Sequence, residues 1–156
     1  MVIRKATKKD VLAIVSLSKE LEKDLNKILP PEFRMFGASM TSDAIAERID
    51  SKNFLTLVVE ENEKLVGLML NRIDPLGNNK RGVRGKINEM YLAKKFRGKS
   101  IASQLYQEAL TWFKENKCQY VQLYVYESNT AKDIYEKWGF KPFSMTMINR
   151  IKESKK

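Results

Sequence analysis

Apolar residues recur at helical spacing in four stretches of the chain. Val11, Ile14 and Leu21 fall on one helical face, and Ile101 and Leu105 begin a second series that continues in steps of four. Spacings typical of a capping box precede the first and the last of these helices, at Thr7–Asp10 and Thr130–Asp133. The pattern predicts helices over approximately residues 7–25, 41–50, 101–116 and 130–139.

Shorter apolar runs between these helices predict the strands of a sheet. The run at 54–59 is continuous and returns as 65–70 after a polar turn, which favours an antiparallel hairpin. Residues 74–85, with Pro75 and three glycines, are typical of a loop. The predicted strands cover approximately residues 2–6, 54–59, 65–70, 86–92, 120–126 and 140–151. The resulting order, β-α-α-β-β-β-α-β-α-β, predicts an α/β (α+β) protein whose mixed sheet carries helices on both faces.

The composition favours one compact domain with an anionic partner. A length of 156 residues suits a single domain covering 1–156, and a hydrophobic fraction of 43% is sufficient for a core. Lys and Arg total 29 against 19 Asp and Glu, a formal net charge of +10. This excess is compatible with nucleic acid, a membrane surface or a phosphate-bearing small molecule as partner.

The rare residue types exclude several chemistries. The chain has no histidine, which excludes a Ser-His-Asp triad, a Cys-His pair and a histidine metal site. Its one cysteine, Cys118, can form neither an internal disulfide nor a zinc cluster, so we expect a reducing, cytoplasmic location. No apolar stretch approaches the roughly 18 residues of a membrane-spanning helix, and we expect neither a membrane partner nor a metal.

A strand, a short basic turn and a helix follow one another at residues 87–105. Backbone N–H groups at a helix N-terminus point in one direction, and the helix dipole favours negative charge there. Gly98 has no side chain where an anion would approach the backbone, and Arg97 and Lys99 add positive charge. Such a turn suits a pyrophosphate, although a glycine turn by itself more often only starts a helix.

The same turn resembles the acetyl-CoA signature of the GNAT superfamily of N-acetyltransferases. That signature reads Arg or Gln, any two residues, Gly, any residue, then Gly or Ala. Arg97 and Ala102 match its ends, and Ser100 stands where a glycine is usual. Serine keeps the backbone N–H but adds a Cβ, which restricts the approach of the phosphates. Three further segments agree with the family in the right order, at residues 3–10, 65–67 and 131–140.

This resemblance implies a GNAT-like acyltransferase fold, with a mostly antiparallel sheet of about six to seven strands. It also implies that acetyl-CoA places its pantetheine beside the fourth strand and its pyrophosphate on the turn. The family's asparagine position falls on Ser128, with Asn129 one residue later, so both are candidates for contact with the cofactor. The implied cofactor-binding residues are Met90, Tyr91, Leu92, Arg97, Gly98, Lys99, Ser100, Ile101, Ala102, Ser103 and Asn129.

Two residues carry the catalytic roles that the resemblance implies. Glu89 matches the position that often holds the general base, which frees the lone pair of a protonated amine. An isolated glutamate in a strand would otherwise be interpreted as solvent-facing. Tyr135 matches the tyrosine that protonates the departing CoA thiolate, and its alternative interpretation is a core aromatic residue on a helix.

We therefore expect an N-acetyltransferase that moves acetyl from acetyl-CoA to a primary amine by direct attack in a ternary complex. The acceptor remains open between a protein N-terminus or lysine and a small amine, and a homodimer is possible. The alternative is a non-catalytic module that binds nucleic acid or CoA. Nucleic acid is disfavoured because the lysines are spread along the chain and no basic helix is predicted.

Overall fold

The computed structural model of the chain describes residues 1–37, 40–75, 82–149 and 151. They fall into two compact units, residues 1–124 and 125–156. The first unit contains β1 (Val2–Lys5), α1 (Val11–Asn26), α2 (Ser42–Asp50), β2 (Phe54–Glu61), β3 (Lys64–Pro75), β4 (Val83–Leu92), α3 (Ile101–Glu115) and β5 (Cys118–Gln122). The second contains α4 (Lys132–Lys137). The expectation of one domain stays a prediction.

The sheet runs in the order β1-β2-β3-β4-β5. The first three pairs are antiparallel, and β4 pairs with β5 in parallel. A mixed, mostly antiparallel sheet is thereby confirmed. A connection between two parallel strands needs a crossover, and α3 supplies it between β4 and β5.

Helices cover both faces of this sheet. α1 and α2 pack on one face, where Ile14 and Ile45 meet Val58, Leu68 and Leu70 in a buried cluster. On the other face α3 packs so closely that a Cβ on Gly85 would lie 2.5 Å from the Phe113 ring. Glycine is required at this position because any larger residue would push the helix away from β4.

The local chemistry of the sequence accounts for where α1 and α2 begin. The Thr7 backbone N–H donates to Asp10 Oδ2 at 2.7 Å, as the predicted capping-box spacing requires. Arg4 from β1 adds two further hydrogen bonds to the Asp10 carboxylate, of 2.8 and 2.9 Å. Thr41 caps α2, with its Oγ1 accepting from the Ala44 N–H at 3.3 Å.

Several predicted boundaries differ from the structure. The helix predicted from residue 7 begins at Val11. The loop at 74–85 is shorter than predicted, because Asp74 and Pro75 continue β3 and Val83 already begins β4. The predicted strand at 120–126 lies at Cys118–Gln122 instead. Within the predicted helix at 130–139, the N-terminal cap is Ala131, not Thr130.

The predicted sixth strand is absent from the described part of the chain. The sheet has five strands there, fewer than the expected six to seven, and residues 140–149 and 151 form no strand. Met145 and Met147 alternate as strand residues do, but both are exposed. Alternation specifies which side chains share a face, and it does not supply the partner strand that a β-strand also needs. Residues 76–81 of the predicted loop, residue 150 of the predicted last strand and residues 152–156 lie outside the described residues.

None of the helices in the described residues is long and apolar enough to cross a membrane.

Candidate active site

Glu89 lies at a β-bulge in β4. The β3–β4 register pairs Leu70 with Glu89 but Asn71 with Ile87, so Asn88 is an additional residue in β4. Such bulges redirect the neighbouring side chains and are frequent beside active sites. Leu70 belongs to the cluster under α1, and the carboxyl group of its partner Glu89 faces the same helix.

Ser18 of α1 holds the Glu89 carboxylate. The Ser18 Oγ donates a hydrogen bond of 2.7 Å to Glu89 Oε2, and Ser18 itself is buried. Ser18 has the same helical spacing as Ile14 and Leu21, and the spacing alone did not indicate this role. The signal available was a serine in an otherwise apolar stripe, since a buried hydroxyl needs a hydrogen-bond partner.

Burial raises the pKa of Glu89 above its usual range, because the low-dielectric surroundings disfavour the charged form. The Ser18 hydrogen bond and the positive charge of Arg48 act in the opposite direction and lower this pKa. Burial is the largest of the three effects, so the carboxyl group is a stronger base than an ordinary glutamate. This is the direction that a general base working near neutral pH requires.

One edge of β4 is open beyond this glutamate. β5 pairs with β4 only from Val83 to Lys86, whereas β3 pairs with β4 up to Leu92. Within the described residues, no strand pairs with the β5 side of residues 87–92. Backbone N–H and C=O groups on an unpaired edge can bind an extended ligand as an added strand. The predicted pantetheine contacts Met90, Tyr91 and Leu92 lie on this segment.

The turn that follows β4 has the left-handed backbone of an anion-binding loop. Gly98 has φ +75° and Ser100 has φ +60°, and α3 begins at the next residue, Ile101. A Cβ on Gly98 would find no atom within 4 Å, so the space over the turn is open. Consecutive N–H groups in such turns form concave anion sites, and the first turn of α3 adds its own N–H groups and dipole.

The remaining residues of the turn are of two kinds: one is buried and anchors α3, and the others are partly or fully exposed. Ile101 is buried and fixes the start of α3 to the core, while Ala102 and Ser103 are partly exposed. Lys99 is exposed, with its Nζ 5.7 Å from the centre of the buried Phe96 ring. A cavity of about 370 Å³ opens along the first turns of α3 and is lined there by Ser100, Ile101 and Ser103.

Arg97 points back toward the protein rather than over the turn. Its Nε donates to the Leu92 carbonyl oxygen and its Nη2 to Asp24 Oδ2, both at 2.8 Å. Its guanidinium also lies 5.5 Å from the centre of the Tyr91 ring. In this conformation Arg97 ties the turn to β4 and α1, and its charge is shared with Asp24.

In the second unit, Tyr135 sits in a small aromatic cluster. Its ring centre lies 5.7 Å from that of Trp138 and 6.1 Å from that of Phe140, both in edge-on geometry. Burial raises the pKa of the phenol, which keeps the proton on Tyr135 at neutral pH. Asn129 uses its Oδ1 to accept from the Ala131 N–H at 2.9 Å, so this oxygen is already occupied in the turn before α4.

Two features of the described residues bear on metal and thiol chemistry. No group of three or more His, Cys, Asp or Glu residues there could hold a metal ion. Burial raises the pKa of the Cys118 thiol, which lowers the fraction of reactive thiolate.

A mixed five-strand sheet with a bulged β4, an open β4 edge and a basic turn opening into a helix is the architecture of a GNAT-type acyltransferase. Residues 17–150 match the family described as the acetyltransferase (GNAT) domain, and the chain belongs to this family. No curated protein matches the chain.

Solved structures with the same fold include several of low sequence identity. The tetramutant of the BH1408 protein from Bacillus halodurans has a TM-score of 0.83 at 21% identity, covering 97% of this chain and 100% of its own. A predicted acetyltransferase with acetyl-CoA from Clostridium acetobutylicum has a TM-score of 0.74 at 21% identity, covering 96% and 95%. The glucosamine-6-phosphate N-acetyltransferase from Arabidopsis thaliana has a TM-score of 0.71 at 20% identity, covering 97% and 98%.

Proposed function

We propose that this protein is an N-acetyltransferase that transfers acetyl from acetyl-CoA to a primary amine by direct attack in a ternary complex. The observation that carries the proposal is the partly buried Glu89 carboxyl group, held by Ser18 at the bulge beside the open edge of β4. Family membership supports the choice of acetyl donor.

In the proposed reaction Glu89 takes a proton from the acceptor ammonium group, directly or through water. The freed nitrogen lone pair attacks the thioester carbonyl carbon, a C–N bond forms and the C–S bond breaks. The electron pair of the C–S bond leaves with the CoA sulfur, and Tyr135 is assigned the donation of a proton to that thiolate. The second proton of the attacking nitrogen is lost to water as the C–S bond breaks, and water restores the proton of Tyr135. The products are an amide and CoA, and no covalent acetyl-enzyme is involved.

The residues that would hold acetyl-CoA are those with backbone groups on the unpaired edge of β4 and in the turn before α3. Backbone atoms of Met90, Tyr91 and Leu92 would pair with the pantetheine, and backbone N–H groups of residues 98–103 would bind the pyrophosphate. Bound acetyl-CoA would supply the activated thioester. A backbone N–H beside the β4 bulge would in addition stabilise the oxyanion that develops on the carbonyl oxygen.

The direct test is release of free CoA from acetyl-CoA in the presence of a panel of primary amines. Glu89→Gln is expected to lower kcat by about 100-fold or more, in keeping with the loss of a general base. Tyr135→Phe is expected to lower kcat by a smaller factor. Glu115→Gln removes an exposed carboxylate at the end of α3 and serves as the control, with unchanged rates. Unchanged rates in both test variants would refute the assigned roles.

Three further results would overturn the proposal. An acetyl adduct on Cys118, found by intact mass measurement on the reaction path, would contradict direct transfer. A thermal shift with oligonucleotide but not with CoA, vanishing at high salt, would favour the nucleic-acid module. A shift with CoA but no turnover of any amine would favour a CoA-binding module.

A further inference from the structure

Basic side chains gather on the face of the sheet that carries Glu89. Arg72 and Asp74 lie two and four residues beyond Leu70 on β3, so all three share the face of Leu70's partner Glu89. The register pairs Arg72 with Lys86 and Asp74 with Arg84. Apart from Glu89, Asp74 is the one acidic residue in β3 and β4.

Arg48 of α2 completes this basic cluster, which we define as Arg48, Arg72, Arg84 and Lys86. The Arg48 guanidinium lies 4.9 Å from the centre of the Phe54 ring, and Phe54 pairs with Arg72 across β2 and β3. Both Glu89 and Arg72 are close enough to act on the pKa of Arg48, which burial lowers. Arg48 therefore lies within electrostatic range of both the candidate base and Arg72 of the sheet.

The acidic groups on this face do not satisfy the cluster. Asp74 Oδ2 accepts from Arg72 Nη2 at 2.8 Å and from Arg84 Nη2 at 3.4 Å, so one carboxylate serves two guanidinium groups. The Nε atoms of Arg72 and Arg84 are buried and have no hydrogen-bond partner in the described residues. Arg48 has no salt bridge within 4.0 Å in the same part of the chain, and its other acidic neighbour, Glu47, is exposed.

Buried guanidinium donors without acceptors favour an anion, because arginine binds carboxylate and phosphate oxygens with paired N–H groups. Lys86 contributes a further positive charge, with its Nζ 4.6 Å from the centre of the Tyr124 ring. A polycationic acceptor would meet charge repulsion on the same face. A small amine with a negatively charged group would bring its amine to Glu89 and its anion to the arginines.

We propose that the acceptor is a small amine bearing an anionic group, a carboxylate or a phosphate, that binds the Arg48 and Arg72 guanidinium groups beside Glu89. This inference rests on the proposed acetyltransferase function and specifies its acceptor class.

The test compares kcat/KM within matched pairs of amines. One pair is 4-aminobutanoate and 4-aminobutanamide, and the other is glucosamine 6-phosphate and glucosamine. The wild-type protein is expected to prefer the anionic member of at least one pair by about 10-fold or more, as expected for a hydrogen bond to a charged group. The pair that shows the preference identifies the carboxylate or the phosphate as the anion.

Arg48→Gln is expected to reduce that preference by about 10-fold, and Arg48→Lys to retain part of it. Lys114→Gln removes one exposed positive charge from α3 on the opposite face, and should leave the preference unchanged. Inorganic phosphate should inhibit competitively against the amine. Because the preference is a ratio within one preparation, partial unfolding of a variant does not alter it, and Arg48→Lys replaces Arg48→Gln if the latter fails to fold.

The outcomes separate this inference from the function on which it rests. Acetylation of neutral amines at rates equal to or above those of their anionic partners would overturn the acceptor class and leave the acetyltransferase intact. An unchanged preference in the Arg48 variants would likewise remove Arg48 from the site. Failure to acetylate any amine while acetyl-CoA is bound would instead refute the proposed function.

Discussion

The hydrogen bond between Ser18 and Glu89 should set the pH at which the protein works. Ser18→Ala removes a 2.7 Å hydrogen bond that favours the charged form of Glu89. Burial raises the pKa of Glu89, and without the hydroxyl of Ser18 this effect is opposed less. A hydrogen bond to a charged group contributes about 1.5–3 kcal/mol. One pKa unit corresponds to about 1.4 kcal/mol, so the pKa of Glu89 should rise by about 1–2 units.

The assay is the pH dependence of kcat/KM for one amine with saturating acetyl-CoA. A general base acts when it is deprotonated, so the acidic limb of the profile should move to higher pH in Ser18→Ala. Activity should fall about 10-fold or more on that limb and recover toward the wild-type value at high pH. Using the same amine in both proteins cancels the ionisation of the acceptor.

Ser16→Ala is the matched control, because Ser16 is an exposed serine on the same helix. Its profile should superimpose on that of the wild-type protein. A Ser18→Ala profile that loses rate equally at every pH would show that Ser18 only packs α1 against the sheet. An acidic limb that stays in place would refute the electrostatic reasoning, and with it the choice of Glu89 as the base.

Three further predictions follow from backbone strain and from two shifted pKa values. Ser100→Gly should relieve the strain of the left-handed backbone at φ +60°, which should raise the free energy of unfolding by about 0.5–1 kcal/mol and tighten CoA binding. Denaturant unfolding and calorimetric titration with CoA test these two effects. Weaker CoA binding would contradict the prediction. Asp10→Asn should lower the free energy of unfolding by about 2 kcal/mol at neutral pH, because hydrogen bonds from Arg4 lower the Asp10 pKa from 3.8 to about 2. The difference in stability from the wild-type protein should disappear as pH falls from about 4 to 2. A constant difference across that range would contradict the prediction. Glu89→Gln should raise Tm at pH 8 and leave it unchanged near pH 4. The reason is that a carboxyl group whose pKa is raised by folding makes the folded protein less stable as pH rises from 4.5 through the folded-state pKa. A lower Tm at pH 8 would show that the charge of Glu89 is fully compensated.

Hydrophobic patterning predicted most elements of the first unit, because its helices bury one face and β2 is buried on both faces. α1 and α3 repeat apolar residues every three to four positions. Both ends of α3 and the C-terminal end of α1 lie within a residue of the prediction, whereas α1 begins at Val11, four residues after the predicted start. The hairpin of β2 and β3 follows from its two apolar runs. The β3–β4 connection was predicted too long because Asp74 and Arg84 are polar strand residues, paired with each other across the sheet.

The candidate site was only partly accessible to the same reasoning. The family motif located Glu89 and the turn, and the glycine pattern indicated the backbone of Gly98. The motif did not indicate Ser18, because hydrophobic spacing shows that a position is buried and not which atom its hydroxyl contacts. It did not indicate the cluster around Arg48 either, since α2 and β3 are distant in sequence and only the register brings Phe54 opposite Arg72.

The early end of β5 has a consequence for how copies of this protein can meet one another. An unpaired strand edge can form hydrogen bonds with the same edge of a neighbouring molecule as well as with a ligand. Pantetheine lying along residues 87–92 would cover that edge, so the protein could not bind acetyl-CoA and pair edge to edge with another copy at the same time. The protein would then be most prone to aggregate when its donor is scarce, and the donor itself would act as its solubilising agent.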